Sequence, residues 1–192
     1  MDEAWIRAAE AFVRELFSGN AGGHDVEHTL RVFRNAMRLA DTEPGCDRTV
    51  VALGALLHDA DDHKLFHTEG NANARAFFAS HQVPGDMVER IVDVINGVSF
   101  SQNQGRTPAT LEGRIVQDAD RLDAMGAVGI ARTFAFGGEH GRGMEESLRH
   151  FDEKLLRLKA LMNTPAGRKM AEGRHAFMEA FLQEYAAETE EA

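Results

Sequence analysis

The stretch Leu56-Leu57-His58-Asp59-Ala60-Asp61-Asp62-His63 passes directly from an apolar helical pattern into a block of titratable groups. Histidine beside carboxylate is a donor set for a divalent transition metal, and the nine histidines of the chain point the same way. Adjacent side chains diverge by about 100° on a regular helix. His58 and Asp59 therefore share an ion only if it lies between their two directions and other segments help. His28, in the first turn of the predicted second helix, can reach the same point from a neighbour. A second acidic cluster, Gln117-Asp118-Ala119-Asp120-Arg121-Leu122-Asp123, interrupts another apolar helical segment. On a helical wheel Val116, Asp120, Asp123 and Ala127 share a face. A carboxylate among such small apolar neighbours must be paired or ligated, because burying it bare is costly. The plainer alternative is a solvated helix end at His58-Asp59, with Asp118, Arg114 and Arg121 forming an exposed ion-pair face.

Taken together, these residues resemble a known pattern. His28, then His58-Asp59 thirty residues later, then Asp120 within Ala119-Asp120-Arg121-Leu122, is similar to the H…HD…D arrangement of the HD-domain superfamily. The likeness runs from about Gly23 to Phe136, and Gly23-His24-Asp25-x-x-His28 and Val116 to Ala124 resemble a single-domain bacterial branch. The resemblance implies an all-α, HD-type helical bundle in which His28, His58, Asp59 and Asp120 converge on one divalent cation. Asp118 and Asp123 are the other carboxylates that could occupy the last place. It further implies hydrolysis of a phosphoester or phosphoanhydride bond, some relatives being nucleotide pyrophosphohydrolases.

Two imidazoles and two carboxylates are borderline in softness and suit first-row ions better than Ca²⁺. Mn²⁺ is the first expectation, with Mg²⁺, Fe²⁺, Co²⁺, Ni²⁺ or Zn²⁺ as alternatives. Such an ion lowers the pKa of its water and neutralises phosphate charge. Asp59 and Asp62 are the candidate catalytic carboxylates. Asp62 follows His58 by four positions, so a continuing helix would set it beside the pair. Its position matches an acid used by some HD phosphomonoesterases, and as the alternative Asp61 and Asp62 are simply solvated. His24, Lys64, Arg121 and Asp123 are candidate substrate contacts, while His63, His67 and His81 are unassigned. In the polar stretch 96–108, Phe100 could stack on a base or plug the core.

The elements that must position these groups read as helices throughout. Apolar residues recur at helical spacing from Trp5 to Leu16. Asp25 can cap a second helix carrying Leu30, Phe33, Met37 and Ala40, and Asp47 a third through Leu57. Thr68 and Asn71 open a helix containing Phe77 and Phe78. Pro84 suits the first turn of the next, with Met87, Val88, Ile91, Val92 and Ile95 as its apolar stripe. Thr110 caps a helix running to at least Met125. Gly137-Gly138 to Gly143 reads as a loop, followed by helices over 145–162 and 165–185. No sustained period-two alternation, repeat or low-complexity linker is present, so one domain over 1–192 is expected.

Composition narrows the functions. At 192 residues, with 43% hydrophobic and 27% charged content, the chain is an ordinary globular sequence. The formal charge of −10 and the lack of a dense Lys/Arg run argue against duplex nucleic acid. No apolar run approaches the ~20 residues that cross a bilayer, and the acidic start lacks the order of a signal peptide. A single cysteine, Cys46, excludes an internal disulfide and a cysteine metal cluster. A cytoplasmic monomer or homodimer acting on a small phosphorylated substrate, a nucleotide first, is therefore expected. The favoured reaction takes a (deoxy)nucleoside triphosphate to monophosphate and pyrophosphate. The alternatives are a nucleoside monophosphate phosphatase and a catalytically silent metal- or nucleotide-binding sensor.

Overall fold

The computed structural model describes residues 2–19, 25–63, 65–98, 103 and 106–189. Among them there are helices and turns and no strand. The elements are α1 (Glu3–Leu16), α2 (Val26–Ala40), α3 (Arg48–Leu57), α4 (Ala72–Ser80), α5 (Gly85–Val98), α6 (Leu111–Asp123), α7 (Gly126–Glu139), α8 (Met144–Glu153), a 3-10 segment (Leu155–Leu161) and α9 (Pro165–Thr189). By its internal packing the chain forms two compact units, Met1–Asp120 and Arg121–Ala192.

In the first unit α3 is the hub, packed against α1, α2 and α5. Every residue from Thr49 to Leu57 is buried, because the segment is apolar on all sides rather than along one stripe. Three aspartates start α1, α2 and α3 itself. Asp2 accepts from the amides of Ala4 and Trp5, Asp25 from that of His28, and Asp47 from those of Thr49 and Val50. Each satisfies donors that a helix start leaves open. Gly54 lets α3 and α5 approach closely, since a Cβ there would stand 2.7 Å from Val94 Cγ1.

The second unit is held by the ring cluster of Phe134, Phe151 and Phe181 and by α9 packed on α7 and the 3-10 segment. The helix expected to reach Met125 stops at Asp123, where the amides of Ala124 and Met125 turn back to Arg121 and Leu122. Gly126, at φ +67°, redirects the chain into α7. The loop expected from Gly137 is helical as far as Glu139, with Gly137 itself buried, so packing overrides weak glycine propensity. The helix expected over 145–162 breaks at Lys154 and resumes as the 3-10 segment. Helix α5 extends through Val98, and Ser99, Phe100 and Ser101 lie outside the described residues.

Candidate metal centre

Three elements of the first unit bring the histidine and aspartate side chains together. His28 stands in the first turn of α2 with its amide on the Asp25 carboxylate at 2.7 Å. His58 ends α3 as its C-cap, and Asp59 follows in the turn that leaves the helix. Asp120 comes from the last turns of α6, whose Ala119 carbonyl accepts from the buried Asn35 of α2. His28 Nε2 lies 3.4 Å from Asp59 Oδ2 and 3.5 Å from Asp120 Oδ1. His58 Nε2 is likewise 3.4 Å from Asp59 Oδ2. Ligand atoms of His28, His58 and Asp120 all lie within 4.8 Å of one another.

The tautomer of His58 follows from its partner. Its Nδ1 is 2.8 Å from the Ala55 carbonyl, which can only accept, so Nδ1 carries the proton. In the neutral ring Nε2 then presents a lone pair. It is buried and has no hydrogen bond, yet it faces a carboxylate oxygen. A lone pair against an anionic oxygen is repulsive unless a cation lies between them. Donors about 2.1 Å from one ion stand roughly 3.0–4.2 Å apart for angles between 90° and 180°, and the separations of 3.4 and 3.5 Å fall in that range. The set therefore fits one divalent ion. His28, His58 and Asp59 have side chains 2%, 3% and 12% exposed, whereas Asp120 is 28% exposed, so the centre opens beside Asp120.

The comparisons with known proteins agree. The model of the HD domain matches residues 25–125, more than half of the chain. The chain belongs to the HD-domain family. It is 37% identical to the Bacillus subtilis protein YpgQ over 181 residues, covering 90% of this chain and 88% of that one. The crystal structure of YpgQ in complex with ADP superposes with a TM-score of 0.85 at 32% identity, covering 97% of this chain and 95% of that one. An HD-superfamily hydrolase from Bacillus thuringiensis gives a TM-score of 0.81 at 38% identity, with 97% of each chain covered. HD domains bind divalent metals, and the cluster above is where this one has the donors to do so.

Several other expectations of this HD domain change on contact with the structure. Helix α3 does not continue past His58, so Asp62 is not set beside the pair by helical spacing. The amides of Ala60 and Asp62 turn back to Leu57 and Asp59, and Asp62 is half-buried in that turn. Asp61 is not solvated. Its two carboxylate oxygens accept from the amides of Asn73 and Ala74. Asn71 stands at the start of α4 as expected, but its side chain makes no cap hydrogen bond and donates to Asn96. Asp118 and Arg121 do not form an exposed face, being 0% and 3% exposed, because α6 is enclosed on nearly every side. Arg121 donates to the Leu161 carbonyl, and Asp123 accepts from Arg132 at 2.6 Å. At 3% and 1% exposure, neither offers surface to a substrate. His63, His67 and His81 are exposed, and His81 stacks on Phe77. His24 and Lys64 lie outside the described residues.

Sequence reasoning passed over Asn35, Asn73 and Gln117. Gln117 is buried and donates to the carbonyls of Gly97 and Arg106, tying both ends of the intervening segment to α6. An amide two turns from His28 and a glutamine beside an acidic cluster were visible signals, but only long-range contacts reveal their partners. No helix among the described residues is long and apolar enough to cross a membrane.

Proposed function

We propose that this chain is a divalent-metal phosphohydrolase that cleaves a (deoxy)nucleoside triphosphate to its monophosphate and pyrophosphate. The observation that carries the reading is the meeting of His28, His58, Asp59 and Asp120 around a buried, hydrogen-bond-free imidazole lone pair. The nucleotide is supported by the complex of YpgQ with ADP, at 32% identity over nearly the whole chain. An ion in this cluster, Mn²⁺ by preference, supplies charge neutralisation at a phosphate oxygen and acidifies its water.

The chain's own residues do the rest. The bond from Nδ1 to Ala55 keeps the His58 lone pair directed into the cluster. Asp59, whose Oδ2 lies beside both imidazoles, would complete the donor set that holds such an ion. Asp120, the most open of the four, borders the side from which a phosphate enters. Asp62 holds the proton for the departing oxygen, within the turn that also carries Asp59. His24 and Lys64 are the proposed phosphate contacts.

The test is a hydrolysis screen across nucleotides with added Mn²⁺, resolving pyrophosphate from orthophosphate, with His58→Ala as control. Pyrophosphate and a monophosphate are expected, with loss to background in His58→Ala. Orthophosphate released from monophosphates would make the chain a phosphatase. Metal uptake without turnover on any nucleotide would make it a sensor.

A further inference from the structure

Directly after the paired ligands His58 and Asp59, the chain is gripped by a helix from elsewhere in the first unit. Helix α4 begins at Ala72 behind Asn71, which has left-handed backbone, φ 59°, and no side-chain cap of its own. Its first amides are satisfied from a distance. Asp61 Oδ1 accepts from Asn73 N at 2.9 Å and Oδ2 from Ala74 N at 3.0 Å. In return Asn73 Nδ2 donates to the Ala60 carbonyl at 2.8 Å. The two arms bracket the peptide that joins Ala60 to Asp61, one residue beyond Asp59. A carboxylate at a helix start gains from both the free amides and the helix dipole.

Helix α4 is itself well fixed. Ala74, Phe77 and Phe78 are buried, and Phe77 meets Phe12 of α1 at 5.3 Å between ring centroids. Arg75 forms a two-pronged pair with Glu89 of α5 at 2.7 and 3.0 Å. The turn needs such an anchor. Helix α3 has ended at Leu57, and the turn that carries Asp59 is closed by the amides of Ala60 and Asp62 on the carbonyls of Leu57 and Asp59.

We propose that Asp61, acting with Asn73, is a positioning residue that clamps the turn after His58 to α4 and so sets Asp59 in place to share the metal with His28, His58 and Asp120. This rests on the metal-site reading above. Neither residue touches the ion or the substrate. They act through the backbone of Ala60, and their loss is expected to loosen metal binding more than it lowers stability.

The experiment measures Mn²⁺ affinity of the full chain, stripped of metal, together with thermal stability. Asp61→Asn keeps the shape of the side chain but sets an amide nitrogen against one helix donor. Asn73→Ala removes the return arm without changing charge. Both are expected to weaken Mn²⁺ binding by about tenfold, as removal of groups that orient metal ligands does, with turnover restored at saturating Mn²⁺. Phe78→Leu, in the core of α4, is expected to lower the melting temperature and leave affinity unchanged.

Wild-type affinity in both clamp variants would overturn the proposal. So would weakening in Asp61→Asn alone, which would be an effect of charge, or equal weakening in Phe78→Leu, which would be general loosening. If Asp61→Asn fails to fold, Asn73→Ala decides the matter, since it leaves the cap intact. Wild-type protein that takes up no Mn²⁺ would remove the metal reading and the clamp together. Uptake that His58→Ala abolishes and the clamp variants leave unchanged would remove only the clamp.

Discussion

At the residue scale, the four candidate ligands are distinguished by what their other atoms do. His58 has one ring nitrogen committed to Ala55, which leaves the second for an ion, and His28 is buried against both carboxylates. Asp62 differs, because its backbone is bonded to Asp59, Leu65 and Phe66 and its side chain is half-buried in the same turn. If it protonates the leaving oxygen, Asp62→Asn should lower kcat by about 100-fold or more, the scale of general-acid catalysis. Metal content should stay at the wild-type level. Metal analysis beside steady-state kinetics checks both halves, and unchanged turnover would remove Asp62 from the mechanism. The sequence offered three carboxylates of α6 for the last ligand position. Their surroundings separate them, since Asp118 is wholly buried and Asp123 is paired with Arg132, leaving Asp120 beside His28.

At the element scale, what could be read ahead of the structure was whatever depends on near neighbours in sequence. The caps at Asp25, Asp47 and Thr110 and the apolar face of α5 are local and appear, whereas α3 is buried on every side and the buried face of α2 runs through Val32, Ala36 and Leu39, with Phe33 and Met37 only half-buried. Asn71 precedes α4 as the sequence suggests, but the carboxylate that accepts from the first amides of the helix, Asp61, lies a dozen residues upstream, which a local pattern cannot show. The stop at Asp123 depends on Gly126 turning with positive φ, which periodicity cannot show. Gly54 is the sharper case. A glycine inside an apolar helix reads as a weak spot, whereas it is the contact that admits Val94. Gly54→Ala should gain about 1 kcal/mol of helix propensity and lose about 1–3 kcal/mol to overpacking, for a net destabilisation. In a Val94→Ala background the added methyl has room, so the same substitution should stabilise relative to Val94→Ala alone. Denaturant unfolding of the four proteins tests the reversal of sign, and its absence would show that α3 and α5 do not meet at this contact.

At the scale of the whole molecule, a formal charge of −10 is more than a guide to excluded partners. Two carboxylates sharing a cluster with two imidazoles repel one another in the metal-free protein, and an ion relieves that repulsion only when the fold has assembled α2, α3 and α6. Binding is thereby linked to folding. All four candidate ligands lie within the unit Met1–Asp120, so this unit would receive the stabilisation directly. An ion at 100 times its dissociation constant that binds only the folded state adds about 2.7 kcal/mol. For a chain of this length each kcal/mol moves the midpoint by about 2–4 °C, giving a rise of roughly 5–10 °C on adding Mn²⁺. Calorimetry with Mn²⁺ and after chelation measures it, with His58→Ala as the reference. The rise should vanish in that variant, because the site loses a donor whose lone pair has no other partner. A rise that persists there would mean that the ion stabilises the chain from some other place, and the cluster would no longer account for it.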